Sequence, residues 1–352
     1  MKYTSKQICP SNIALIKYWG KYENQIPANP SISYTLNKCK TITEVEFFHG
    51  EEFAVETFLD NKSELKFAEK IVKYFQKIEK YLPWILSGRF VINTQNTFPH
   101  SSGIASSASG FGAIAQCLVD IDNQIVSHNE AKNTQQVMEK ASFLARVGSG
   151  SACRSIYNGL IVWGKTEVVK GSSDEYAVPY PYGEIHPIFK KFNDWVLLIH
   201  EGQKSVSSTV GHSLMNTNPY AERRFQEARE NFHTLKNILK NGDMEEFIKL
   251  VEHEALTLHA MMMMSEPAFI LMKTGTLEVI NKIWSFRKET KLPLFFTLDA
   301  GANVHLLFPE NQKVNDKDLM DEYNFQQIKT FIENELLQYT QNGGIVKDFI
   351  DF

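Results

Sequence analysis

The chain is short of cysteine, of charge of one sign and of long apolar runs. Its 352 residues hold four cysteines (Cys9, Cys39, Cys117, Cys153), and no two stand in CxxC spacing. That pattern excludes a disulfide framework or a zinc ribbon and reads as reduced thiols in a cytosolic protein. Lysine and arginine total 37 against 41 aspartates and glutamates, a net charge of −4. The broad basic field of a nucleic-acid binder is missing. No apolar run approaches the roughly 18 residues that span a membrane. The opening MKYTSKQICPSN has no apolar signal core, and no internal repeat or low-complexity tract is present. What is there is an ordinary globular composition, 43% hydrophobic and 22% charged. The expectation is a soluble, cytoplasmic protein of about two domains.

Pro10, Pro27 and Pro30 punctuate residues 9–36 into strand, loop and strand. Residues 40–59 carry two β-rich runs around His49-Gly50-Glu51-Glu52, the pattern of a hairpin. Phe67, Ile71, Phe75, Ile78 and Leu82 recur at helical spacing. Residues 90–121 read as strand, small-residue loop and small-residue helix. Residues 131–146 read as a helix, 148–155 as a turn and 156–164 as a buried strand. The loop-like stretch 171–187, with Gly171, Pro179, Pro181, Gly183 and Pro187, marks a boundary between domains 1–187 and 188–352. A strand over 194–200 and a polar loop over 202–213 follow. Two long helices come next, about 219–240 and 244–262, divided by Asn241-Gly242; Asp243 with Glu246 gives the second a capping-box start. A helix over 276–290, two apolar strands around residues 300–303, a helix over about 316–340 and a short strand complete the chain. Mixed strands and paired helices in both halves predict an α+β fold, with the active site in the cleft between two domains.

Two familiar patterns fail on physical grounds. Residues 159–166 satisfy the Walker A expression, but the variable positions are Leu160, Ile161, Val162 and Trp163, which are strand material. His253-Glu254 with His259 suggests a zincin helix, yet a separation of six residues leaves the imidazoles about 240° apart around the axis. A structural or solvent-facing role fits them better, with Met261 to Met264 as packing.

Four other places carry chemistry. FPHSSGIASSASG (98–110) has the composition of a loop entering a helix, where small side chains and unpaired amides receive a phosphate. Close helix packing explains the same composition. Asn12, Lys17, Tyr18 and Lys21 lie together in SNIALIKYWGK, among apolar residues that suggest burial at a cleft. Arg154 lies in GSGSACRS, where small neighbours let an anion reach its fork, though a surface arginine reads the same way. Asp299 follows the apolar PLFFTL, where a carboxylate is costly unless paired or functional. Lys17 or Arg154 as a partner would keep it ionised.

In order and wording, SNIALIKYWGK, FPHSSGIASSASG, GSGSACRS, STVGH (208–212) and FTLDAGAN (296–303) resemble the mevalonate diphosphate decarboxylases. Those belong to the superfamily of galactokinase, homoserine kinase, mevalonate kinase and phosphomevalonate kinase. The resemblance runs from about residue 8 to 308. It implies a ribosomal-protein-S5-like domain followed by a ferredoxin-like domain. It implies ATP- and Mg²⁺-dependent conversion of mevalonate 5-diphosphate to isopentenyl diphosphate, CO₂, phosphate and ADP, and a homodimer.

By the same resemblance, Asp299 orients or deprotonates the C3 hydroxyl, Arg154 holds the C1 carboxylate, Asn12 lies by that arginine and Lys17 beside the aspartate. Tyr18, Lys21, Ser149 and Ser208 match positions that hold the diphosphate and carboxylate end. Gly103, Ile104, Ala105, Ser106 and Ser107 match the ATP loop, with Ser106 and Ser107 at the phosphates and metal. Two departures stand out: Pro99-His100-Ser101-Ser102-Gly103 where the family commonly has Pro-Thr-Ala-Ala-Gly, and Ala302 where it commonly has proline. Three alternatives remain at this point: a kinase that stops after phosphorylating mevalonate or a phosphomevalonate, a monophosphate decarboxylase, and a non-catalytic ligand sensor.

Overall fold

Two long strands form the spine of the first half. In the computed structural model, β1 (Lys2–Ile16) pairs antiparallel with β2 (Ser31–His49). The structure describes residues 1–99, 104–126, 133–202, 205–310, 313–314, 317–318 and 320–352. Strands β3 (Ala54–Leu59), β4 (Lys62–Ser63), β5 (Gly88–Asn96), β6 (Leu160–Trp163) and β7 (Val178–Pro179) complete a sheet of order β4-β3-β5-β2-β6-β7, with β1 on β2. Helices α1 (Leu65–Ile78), α2 (Ser106–Val126) and α3 (Thr134–Gly148) cover it, over a core that includes Phe47, Phe75, Phe90, Ile114 and Leu144.

Residues 40–59 are not a hairpin. The run after His49 becomes β3, which pairs parallel with β5, and β5 lies between β2 and β3. The chain makes a β3-α1-β5 crossover, so local alternation located both strands and named the wrong partner. The Walker-like stretch is β6, buried throughout and flanked by β2 and β7, as its strand composition requires.

The second sheet has order β13-β8-β10-β9, all antiparallel: β8 (Lys191–Leu197), β9 (Phe295–Thr297), β10 (Val304–Pro309) and β13 (Ile345–Asp351). Helices pack on both of its faces. Leu307 points to the core shared with α5 (Ala221–Asn241) and α6 (Met244–Met263). Leu306 and Phe308 point to the core shared with α7 (Thr274–Thr290) and α8 (Glu322–Phe331). Burial on both sides explains why these strands read as continuous apolar runs. Gly242 ends α5 in the left-handed region (φ 77°), and the Asp243 carboxylate accepts the Glu246 N–H to start α6.

Two expectations need correction here. Part of the polar loop over 202–213 is helix α4 (Ser208–Leu214), started by Ser207 accepting the Val210 N–H. The last helix begins at Glu322, not near 316, because Asp321 caps it; β11 (Lys313–Val314) and β12 (Lys317–Asp318) pair just before it. Among the described residues no helix is long and apolar enough to cross a membrane.

Candidate active site

The site begins with an irregularity in β1. Its pairing with β2 jumps from Pro10↔Lys40 to Asn12↔Thr35. Proline offers no ladder N–H, and such a bulge re-aims the side chains that follow. Asn12 consequently turns inward, giving Nδ2–H to Ser155 Oγ (2.7 Å) and presenting Oδ1 to Arg154.

Arg154 sits in the 3₁₀ turn Gly150–Ile156 that follows α3. It is only 3% exposed. Its guanidinium donates to Ser33 Oγ (2.9 Å), Ser31 Oγ (2.5 Å) and Asn12 Oδ1 (3.2 Å). All three acceptors are neutral. Burial therefore pulls the pKa of Arg154 down, with Asp299 among the charges pulling it back up.

Lys17 follows the end of β1, and its side chain is 1% exposed. Its ammonium donates to Asp299 Oδ1 at 3.1 Å. Desolvation lowers the Lys17 pKa, and Asp299 opposes that shift. Asp299 stands in the turn between β9 and β10, with its side chain 28% exposed. One half of the molecule supplies the lysine and the other supplies the carboxylate.

Tyr18 is wedged between Trp163 (ring centroids 4.6 Å apart) and His212 (4.3 Å). Its buried hydroxyl has no hydrogen-bond partner among the described residues. Such a group is costly unless a ligand completes it. Gly150 permits this seat, because a Cβ there would lie 2.7 Å from Tyr18 Oη. Lys21 donates to Gln25 Oε1 (2.7 Å) and lines a pocket of about 320 Å³ with Met215, Asn218 and Phe225. Burial, then Lys77, lower its pKa.

Ser106 and Ser107 are the first residues of α2, where amide N–H groups lack helical acceptors. Ala105 before them has φ 38°. The Ser107 and Ser149 hydroxyls lie 3.4 Å apart, joining the start of α2 to the turn that carries Arg154. Ser11 Oγ donates to the Ile104 carbonyl (2.7 Å) and ties β1 to the same loop. Gly103 and His100 lie outside the described residues. Ser208 is exposed at the start of α4, and its helix reaches the site through His212 instead.

Several residues at the site escaped the sequence reading. Ser31 and Ser33 were detectable, since residues two apart on a strand share a face. Glu254 is marked in the sequence only as a charge on the apolar stripe of α6, between the histidines of the zincin-like pattern. His253 is exposed and pairs with Glu227, whereas His259 is buried against the Asp299 backbone.

These elements define a two-sheet α+β protein with a lysine–aspartate pair and a buried arginine between a helix start and an apolar wall. Two family models match: "Diphosphomevalonate decarboxylase-like N-terminal domain" over residues 9–177 and "Mevalonate 5-diphosphate decarboxylase C-terminal domain" over 195–343. The chain is 30% identical to the solved mevalonate diphosphate decarboxylase of Staphylococcus aureus, covering 99% of this chain and 96% of that one, with TM-score 0.80. It is 25% identical to MDDEF solved in complex with MVAPP, AMPPCP and magnesium (100% and 98% covered, TM-score 0.81). It is 28% identical to the diphosphomevalonate decarboxylase of Debaryomyces hansenii, over 88% of this chain and 81% of that protein. The chain belongs to the mevalonate diphosphate decarboxylase family.

Proposed function

We propose that the protein converts mevalonate 5-diphosphate to isopentenyl diphosphate, CO₂, phosphate and ADP, using ATP and Mg²⁺. The observation that carries this reading is Arg154: a buried cation with neutral partners, in the site where the buried Lys17 pairs with a half-buried Asp299. A carboxylate substrate completes the charge of the first, and a hydroxyl that must lose its proton fits the second.

The chemistry gives each group a task. A tertiary hydroxyl is a poor leaving group, so it is first phosphorylated. Asp299 takes its proton as the γ-phosphorus is attacked, and Lys17 holds that carboxylate in line. Departure of the phosphate builds positive charge at C3, and loss of CO₂ from the carboxylate gripped by Arg154 quenches it. Asn12, Ser31 and Ser33 fix the plane of the arginine. Tyr18, Lys21, Ser149 and Ser208 take the remaining substrate oxygens. Residues 103–107, with the start of α2, take the nucleotide phosphates.

The donor set fits magnesium carried by phosphates: among the described residues no group of three His, Cys, Asp or Glu could hold a metal. Ser106 and Ser107 hydroxyls would then complete its shell, and the ion would neutralise the transferring phosphoryl group.

The same reading divides the chain into an S5-like domain, 1–187, and a ferredoxin-like domain, 188–352. It makes the protein a cytoplasmic homodimer without nucleic-acid or membrane partners. The test is an assay with ATP, Mg²⁺ and mevalonate 5-diphosphate that follows ADP, phosphate and CO₂ together. Equal release of all three is expected. ADP alone would mean a kinase, and release only from a monophosphate substrate would mean a phosphomevalonate decarboxylase. Asp299→Asn should lower turnover by at least about 10²-fold, the contribution of a general base. Titration with a fluorescent ATP analogue should find nucleotide binding nearly unchanged; near-normal turnover would refute the role of Asp299.

A further inference from the structure

Helix α6 touches both halves of the Lys17–Asp299 pair. The Glu254 carboxylate accepts the backbone N–H of Lys17 at Oε2 (2.9 Å). Five residues later, His259 Nε2 lies 3.1 Å from the backbone carbonyl of Asp299. A carbonyl oxygen only accepts, so Nε2 carries the proton. Five residues along a helix place the two side chains about 140° apart, on opposite flanks of the buried stripe. One flank faces the end of β1 and the other the turn after β9, and α6 packs against both strands.

Glu254 is itself fixed. Fully buried, it takes Arg224 Nη2 at 2.5 Å and Nη1 at 3.3 Å, and Asn231 Nδ2 at 2.6 Å, all from α5. A carboxylate so saturated cannot shift without breaking several charge-assisted bonds.

We propose that Glu254 and His259 are positioning residues: α6 is a rigid bar that sets the distance between the Lys17 ammonium and the Asp299 carboxylate. This rests on reading those two groups as the reacting pair. Each positioning residue acts through the backbone of one member of that pair, where a displacement of about 1 Å costs about 10²-fold in rate.

The test uses the full-length enzyme in four forms: wild type, His259→Phe, His259→Gln and the double variant Glu254→Gln/Arg224→Gln. Glutamine at 259 keeps an N–H donor near the place of Nε2, and phenylalanine keeps only bulk. The double variant removes both buried charges, so no uncompensated ion is left to unfold the protein. His259→Phe should lower kcat about 10- to 100-fold with KM for either substrate within about twofold, and His259→Gln should recover most of that loss. The double variant should also lose kcat and keep KM.

A second readout needs no turnover. Burial lowers the pKa of Lys17 most, Asp299 and then Glu254 raise it, and Arg154 lowers it. NMR titration of isotope-labelled lysine should therefore find the Lys17 ammonium of His259→Phe titrating lower than in wild type, and that of His259→Gln close to it. Equal kcat loss in both His259 variants, loss confined to KM, or an unmoved Lys17 titration would overturn the proposal. An inactive wild type with the NMR shift intact would instead refute the proposed function and leave the positioning role standing.

Discussion

A guanidinium surrounded by hydroxyls and an amide is a poor resting place for a charge, and Arg154 occupies one. Its geometry is a planar fork matched to three acceptors. Lysine carries the same charge as a point and cannot satisfy them together. Arg154→Lys should raise KM for mevalonate 5-diphosphate and lower kcat/KM by about 10²-fold, of the order of a lost charge-assisted bond. Nucleotide affinity, followed by the fluorescent analogue, should not change; an equal fall in both affinities would mean general collapse of the site. His212 makes a separate prediction. It is buried, its Nδ1 accepts the Gly20 N–H (3.0 Å), and desolvation, then Lys21, pushes its pKa down to about 3. The folded value lies below the unfolded value of about 6.5, so the unfolded chain takes the proton first. The stability from neutral His212 is present above that unfolded value and is lost as pH falls toward 3. From pH 8 to pH 5 this one group should remove about 2 kcal/mol. Urea unfolding at both pH values should find that slope in the wild type. His212→Asn, which keeps an acceptor, should flatten it. Asn12, Lys17 and Arg154 were legible because charged or amide groups among apolar and small residues are expensive. His212 is not legible in the same way, because its value to the site lies in burial that the motif alone does not reveal.

At the scale of elements, the small residues of α2 fall into two settings along its length. Ser106 and Ser107 sit at the open start, while Ala108, Ser109 and Gly112 turn inward. A Cβ on Gly112 would come within 2.4 Å of Cys9 Sγ on β1. Gly112→Ala should therefore destabilise by about 1–3 kcal/mol through overpacking. Urea midpoints check it; a change below about 0.5 kcal/mol, the range of neutral surface substitutions, would mean α2 can slide on the sheet. The positions of strands and helices were legible because period and caps are local: Gly242 and Asp243 stop and start helices where they stand. Pairing was not. Nothing in residues 40–59 records that β5, some thirty residues later, inserts between β2 and β3.

At the scale of the molecule, the two sheets share a core. Ile13 and Ile32 of the first half cluster with Phe192, Phe247, Phe295 and Ile350 of the second. The sequence marked 171–187 as loop-like but could not reveal this continuity, which comes from residues far apart in the chain. One strut crosses the junction without a β-ladder. Residues 36–39 of β2, left out of the β1 pairing by the jump after Pro10, meet Asp348 of the C-terminal strand β13. Its buried carboxylate accepts the N–H groups of Asn37 (3.0 Å), Lys38 (2.8 Å) and Cys39 (2.6 Å). Three successive amides on one carboxylate make a fixed joint, and removing the acceptor would strand the buried Cys39 N–H and two half-buried ones. Asp348→Ala should then cost about 3 kcal/mol, more than a typical substitution, while Asp348→Asn, with one oxygen retained, costs less. Because the Asp348 carboxylate bonds the β2 backbone, kcat of the folded variant should stay within about twofold of wild type, even as the urea midpoint falls. A midpoint unchanged in Asp348→Ala would mean that the shared apolar core alone holds the halves together. A kcat loss matching the stability loss would mean that the joint also sets the spacing of Lys17 and Asp299.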